Sequence, residues 1–271
     1  MRKMLFSALK IGALAYVGLC LLVFVRQGAY VYYPSKLVEA TPEAIGLRFE
    51  ELTLVARDGV TLSAWWVPAA AETQARALIY FHGNAGNNGD RLDALRALHD
   101  LNVNVLIVDY RGYGRSAGRP TEQGTYLDAL AAWDYLTRER GVAPNRIFIL
   151  GRSLGGAVAA WLAAQTQPAG AILESTFTSA PAMAGRMFPF LPIRLLCRFR
   201  YDTLSLLPRL ACPVLIAHSP RDEIIPYQHG RELFAAAREP KTFVELTLDH
   251  NAGELGLEPQ YRAALTEFPN R

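Results

Sequence analysis

The sequence predicts an α/β fold: a doubly wound, mostly parallel sheet of about eight strands with helices on both faces, a small cap, and a transmembrane helix in front. Three observations predict it. Short apolar runs bounded by turn residues alternate with helical spacings from about residue 75 to the C-terminus. A hairpin signal precedes that alternation. The first 33 residues are apolar and basic, unlike the rest. These divide the chain into an N-terminal anchor and flank at 1–33 and a folded domain at 34–271, with 179–210 as a cap.

The anchor comes first. In "MRKMLFSALKIGALAYVGLCLLVFVRQGAYVYYPSK", Leu5 to Val25 is apolar apart from Ser7 and Lys10. At about 1.5 Å per residue, such a helix nearly spans a bilayer core. Lys10 can snorkel to the nearer interface, and Tyr30, Tyr32 and Tyr33 suit an interfacial belt. Arg2, Lys3 and Lys10 outweigh Arg26, so the N-terminus is expected in the cytoplasm and the domain periplasmic or extracytoplasmic. A cleaved signal peptide is the rival. The apolar run is long for one, and no small-residue cleavage site follows cleanly. A lipoprotein acylated on Cys20 would need a small residue where Leu19 stands.

The domain follows. "LRFEELTLVARDGVTLSAWWVP" reads as two strands around Asp58-Gly59. "ARALIYFHG" is near-continuously apolar, as buried parallel strands are. Leu92, Leu95, Leu98 and Leu101 have helical spacing. "VNVLIVDY" is the next strand and "TYLDALAAWDYLTRERG" the next helix. "RIFILG", "GAILES", "CPVLIAHS" and "KTFVELTL" are further strands. Helices are expected over "SLGGAVAAWLAAQ", after Pro226, and over "PQYRAALTEF". Residues 179–210 interrupt the alternation. They are apolar, proline-containing and basic, which fits a cap over the sheet edge or one crossover helix with a loop.

Composition excludes some functions. With 271 residues, 51% hydrophobic and 20% charged, the chain can build a substantial core. A net charge of +3 without Lys/Arg blocks gives no nucleic-acid footprint. Cys20, Cys197 and Cys212 lack metal-ligand spacing. Cys197 and Cys212 read as two separate buried thiols, with a disulfide as the alternative. No metal or cofactor is expected.

The chemistry lies in "GRSLGG". Gly151-Arg152-Ser153-Leu154-Gly155 is G-x-S-x-G between a strand and a helix. The turn crowds its flanking positions, where glycine has no Cβ to clash. It would lift Ser153 Oγ above the sheet, at a helix N-terminus, with the Leu154 N–H aimed at a developing oxyanion. A serine needs a base, and the base an orienting acid. In this arrangement the acid and then the histidine follow the serine in the chain. His250 follows the last strand and is the expected base. His218 comes too early, and His229 is expected on the solvent side of its helix. Asp222 is the expected acid. Glu223 should leave the turn on the other side, Asp249 should be solvated, and Glu174 is expected to make a structural hydrogen bond. "DYRGYGRSAGRP" has no G-K-[ST] and no dinucleotide fingerprint. It reads as a rigid turn bracing the nucleophile loop. In "FHGNAGNNGD", Asn87 or Asn88 should cap the following helix.

Taken together, "HGNAGN", "DYRGYGRSAGRPTE", "GRSLGGA", "ESTFTS", "RDEIIP" and "DHN" resemble membrane-anchored α/β-hydrolases, in the branch that includes palmitoyl-protein thioesterases and lysophospholipases. The resemblance covers about residues 45–255. It implies the α/β-hydrolase fold, Ser153 as nucleophile, Asp222 as acid and His250 as base. It also implies that Asn84 supplies a second backbone N–H to the oxyanion hole, opposite Leu154. The cysteine-rich palmitoylation segment of some relatives is absent, which speaks against cytoplasmic palmitoyl-protein substrates. The expected function is cleavage of carboxylic ester or thioester bonds through an acyl-enzyme. The expected partners are a small-molecule or lipid acyl ester and the membrane. An acyltransferase, a serine peptidase and a catalytically silent scaffold are the alternatives.

Overall fold

The computed structural model describes residues 1–72, 75–252 and 258–268. Its centre is one eight-stranded sheet: β1 Glu50–Val55, β2 Thr61–Val67, β3 Ala77–Phe81, β4 Asn104–Val108, β5 Ile147–Arg152, β6 Gly170–Glu174, β7 Val214–His218 and β8 Lys241–Glu245. The spatial order is β8-β7-β6-β5-β3-β4-β2-β1. β2 runs antiparallel to both neighbours, and every other pairing is parallel. The hairpin at Asp58-Gly59 thus forms the antiparallel edge, with Gly59 at φ +84°.

Period-two alternation sends side chains to two cores. In β3, Ala77, Ile79 and Phe81 join one core, Leu78 and Tyr80 the other. The first core is closed by helix α3 (Glu122–Asp134) and helix α4 (Leu154–Gln165). The second is closed by helix α2 (Leu92–His99) and by α9 (Pro259–Glu267) near the C-terminus. α3 starts at Thr121, whose side chain accepts from Gly124 N at 3.0 Å. α2 follows a 3₁₀ turn, Asn88–Arg91, opened by a capping box of Asn87 and Asp90. Asn87, not Asn88, is therefore the cap.

Helix α1 runs Arg2–Val31, longer at both ends than the apolar run alone. Most of it is exposed, but Val23 and Gln27 are buried. Between β6 and β7 lie three short helices, α5 Ala180–Met187, α6 Ile193–Leu196 and α7 Thr203–Leu206. α8 (Tyr227–Ala236) follows β7. The three cysteines are free. Cys212 is buried, but Cys197 is only half-buried, its Sγ 3.2 Å from Phe199 O.

The tightest packing lies at the crossing of β5, β3 and α4. A Cβ on Gly155 would collide with Phe81 O, and one on Gly151 with Gly155 O. Backbone cannot yield as a flexible side chain can. Gly155→Ala is expected to lower unfolding free energy by about 3 kcal/mol, by chemical denaturation.

Candidate active site

Ser153 is the residue between β5 and α4. Its backbone stands at φ +54°, ψ −119°, a region that side-chain-bearing residues rarely adopt. The surroundings impose that geometry. Ser153 N donates to Glu174 O at 2.9 Å, and Ser153 O accepts from Gly156 N at 3.0 Å and Thr176 Oγ1 at 2.7 Å. A Cβ on Gly156 would strike the Thr176 side chain. Ser153 is thus fixed from both sides, with Leu154 beginning α4 behind it. The first amides of a helix have no intrahelical acceptor.

His250 sits beyond β8, and its Nδ1 donates to Asp222 Oδ2 at 2.7 Å. Asp222, in the loop after β7, accepts on Oδ1 from Ile224 N at 3.0 Å and Ile225 N at 2.7 Å. Burial acts to raise the Asp222 carboxyl. Hydrogen bonds from His218 and His250 outweigh it and hold the group well below the usual carboxylate range. The carboxylate therefore stays ionised, and the His250 ring meets it through Nδ1, which turns Nε2 away from Asp222.

His218, too early in the chain to be the expected base, nonetheless contributes here. It is fully buried, its Nε2 donates to Ile225 O at 2.9 Å, and it stands 3.4 Å from Asp222 Oδ2. A Cβ on Gly230 would touch its ring. Its place at the end of β7 was the available signal: a side chain there points along the loop that carries the acid.

His250 is held by its backbone as well. Its N–H donates to Glu223 Oε2 at 2.9 Å, and its carbonyl accepts from Arg152 Nη2. Glu223 thus turns back to the His250 loop, contrary to the expectation that it leaves on the other side. Arg152 Nε also donates to Glu174 Oε1 at 3.0 Å, and Tyr261 OH to Glu174 Oε2 at 3.1 Å. Glu174 is the structural hydrogen-bond acceptor expected of it. Asp249 is exposed and accepts from Ala252 N at 2.6 Å. His229 is not on the solvent side of α8. It is half-buried, its Nδ1 2.8 Å from Thr178 Oγ1, and burial lowers its pKa. The helix tilts this face towards the segment after β6.

The loop after β3 closes the other side. The position of a Cβ on Gly83 would lie 3.6 Å from Ser153 Cβ, so the backbone passes beside the serine. Asn84 is pinned through its other atoms. Its carbonyl accepts from Tyr33 N at 2.9 Å and Tyr113 OH at 2.7 Å, and its Nδ2 donates to Val31 O at 3.1 Å. Tyr110 OH donates to His82 O at 2.9 Å, and Asn88 N to Asp109 Oδ1 at 2.9 Å. The "DYRGYG" turn therefore braces this loop rather than the nucleophile loop. Its tyrosines point along β3's continuation, not towards β5. Ser116 is structural, between Asp109 O and Ser63 N, and Arg115 pairs at the rim with Glu51.

Ser153, Leu154, Gly83, Asn84 and His250 all line one cavity of about 490 Å³. Its outer wall is apolar, with Phe177, Met183, Ile193 and Leu196 beside Val23 and Tyr30 of α1. Among the described residues, no His/Cys/Asp/Glu group is arranged to hold a metal.

Comparison with known proteins agrees with this architecture. Residues 72–200 match the family model described as "Serine aminopeptidase, S33". The chain is 36% identical over 258 residues to the Arabidopsis thaliana "Alpha/beta hydrolase domain-containing protein WAV2", covering 86% of this chain and 83% of that one. It is 34% identical over 241 residues to "Protein bem46" of Schizosaccharomyces pombe, covering 82% and 80%. Among solved structures, the Pyrococcus furiosus esterase Pf2001 superposes with a TM-score of 0.73 at 18% identity, over 89% of this chain and 97% of that one. With its sheet order, its strained serine turn and these relatives, the chain belongs to the α/β-hydrolase family.

Proposed function

We propose that the protein is a serine hydrolase of carboxylic esters or thioesters, acting on lipid-like acyl substrates. The observation that carries this reading is the Asp222–His250 hydrogen bond, placed so that His250 shares a cavity with the strained Ser153. Ser153 Oγ attacks the acyl carbonyl as His250 Nε2 takes its proton. The oxyanion is held by the backbone N–H groups of Leu154 and Asn84. The proton passes from His250 to the leaving alcohol or thiol, which departs. Water, deprotonated by His250, then releases the acid from the acyl-enzyme and restores Ser153. Asp222 fixes the tautomer and stabilises the imidazolium.

A peptidase reading follows from the family model's description. An aminopeptidase must receive a free ammonium group, which calls for a carboxylate in the pocket. Among the described residues lining the cavity, the charged ones are Arg91 and Arg152, so its character suits an apolar acyl group better. α1 is the proposed anchor. It is long and apolar enough to cross a membrane, and nearly all of its apolar stretch is exposed. The proposed orientation keeps the N-terminus cytoplasmic and the domain extracytoplasmic.

Three outcomes test the roles. Ser153→Ala should abolish p-nitrophenyl ester turnover and fluorophosphonate labelling, whereas a panel of amino-acid p-nitroanilides should be inert with wild type. Asp222→Asn should keep the fold by circular dichroism and lower kcat by about 10⁴, because the imidazole loses its correct tautomer. Arg152→Met should destabilise by about 3 kcal/mol at neutral pH, since it leaves Glu174 buried with Tyr261 as its partner. Burial already pushes the Glu174 carboxyl up, against the opposing effect of Arg152 and Tyr261. A carboxyl raised in the folded state costs stability above its unfolded pKa and none when protonated. The deficit of Arg152→Met should therefore be full where Glu174 is ionised in both folded proteins and shrink as pH falls through its raised folded-state range, above the free glutamic acid value, so that little of it remains by about pH 4, in denaturation series at several pH values.

A further inference from the structure

Helix α1 has two characters. Leu5, Phe6, Leu9, Ile11 and Leu14 are all exposed, as on a helix that crosses a bilayer. One face of its C-terminal half instead packs on the domain, while Val17, Leu21, Leu22 and Val25 stay exposed. Val23 packs with Leu191 and Ile193. Gln27 Nε2 donates to Leu196 O at 2.7 Å, and Gln27 Oε1 accepts from Arg198 N at 2.8 Å. Tyr16 OH donates to Phe190 O at 2.9 Å, and the Tyr30 ring meets Phe188 edge-on at 5.7 Å. The chain from Phe190 to Arg198 therefore runs beside α1, from the level of Tyr16 to that of Gln27.

This fixes a depth. The apolar run of α1 ends at Val25, just before Arg26. Tyr16 lies about 14 Å of helix inside that boundary. A bilayer core is about 30 Å thick, so Tyr16 lies near its middle, and Phe190 with it. The surface of this segment fits such a place. Met187 and Phe190 are exposed, and Leu195 is 83% exposed. An apolar patch of this kind, continuous with an apolar helix, marks membrane contact. The polar end is equally ordered. Arg198 lies over the Phe24 ring at 5.3 Å, and Arg26 is exposed one residue before Gln27. Arg194 is exposed and its long side chain can snorkel towards that boundary. Apolar at depth and basic at the boundary is the order of hydrocarbon and anionic head groups in a leaflet.

We infer that residues 190–195 dip into the leaflet beside α1, on the domain's side, with Phe188 and Leu196 at the boundary, and that the cavity is loaded sideways from that leaflet by a bilayer-resident acyl ester. The shared wall supports this: Val23, Gln27 and Tyr30 of α1 and Met187, Ile193 and Leu196 of the segment beside it line the cavity that contains Ser153. The acyl chain passes from lipid to cavity without crossing water. The chemistry rests on the hydrolase reading; the embedding does not.

The test uses the full chain in vesicles of phosphatidylcholine with a minor share of phosphatidylglycerol. Phe190→Trp should show emission quenched by lipids brominated at mid-chain, relative to wild type, whose tryptophans lie in the sheet, α3 and α4. Equal emission in brominated and plain vesicles overturns the embedding. The double variant Phe190→Asp, Leu195→Asp should hydrolyse soluble p-nitrophenyl acetate as wild type does, in detergent. Its turnover of palmitoyl lysophosphatidylcholine in vesicles should fall at least about tenfold, because two charges resist entry into hydrocarbon. Undiminished turnover of the vesicle-borne ester overturns lateral loading. If wild type shows no Ser153-dependent acetate turnover, the hydrolase reading fails alone, and the tryptophan readout still decides the embedding.

Discussion

The close crossing of β5, β3 and α4 is the constraint on which the rest of the site depends. Three backbones meet where Gly151 and Gly155 present no Cβ to Gly155 O and Phe81 O. That proximity forces the chain at Ser153 into a positive-φ turn. The turn in turn sets the direction of α4, whose first amide stands next to the serine. It also brings the backbone at Gly83 alongside, so the loop after β3 is placed by the same contact. Local strain at Ser153 is sustained by hydrogen bonds from Gly156, Thr176 and to Glu174, which leave the turn no relaxed alternative.

Two buried carboxylates stand behind the site, and their environments solve the desolvation problem differently. Asp222 receives two backbone N–H groups and faces two imidazoles, so it remains charged despite burial. Glu174 has one guanidinium and one phenol, and burial still raises it. The first can hold a positive imidazolium; the second serves as an anchor. His250 is suspended between them. Asp222 holds its ring, while Glu223 and Arg152 hold its main chain. Arg152 sits next to Ser153 in the chain, so one short segment places the serine and fixes the loop carrying the histidine.

α1 links this site to the chain's apolar end. Gln27 is the polar residue that makes the link, since it clamps Leu196 and Arg198 through one amide. In an apolar helix such an amide is costly unless satisfied, and here both of its ends are. Tyr32 continues the contact through its hydroxyl pair with Tyr201 at 2.7 Å. Removing α1 would thus remove a wall of the cavity as well as a candidate anchor.

Much of the fold was legible because its signals are local. Alternation of apolar runs and helical spacings gave the strands and helices. Asp58-Gly59 gave the hairpin, and "GRSLGG" gave the positive-φ serine turn between β5 and α4. That His250 and Asp222 meet followed from chain order and strand ends. What stayed hidden depends on contacts between segments far apart in sequence. The roles of Arg152, His218 and Glu223 around His250 exist only once β5, β7 and β8 lie side by side. Tyr110 and Tyr113 brace the loop after β3 because β4 neighbours β3, an order that the chain does not spell out. The apolar pattern of α1 determined that it is a long apolar helix. Only the tertiary structure decided that its last turns wall the cavity, because the partner residues lie more than 160 positions away, and no local periodicity encodes which surface a helix end will meet.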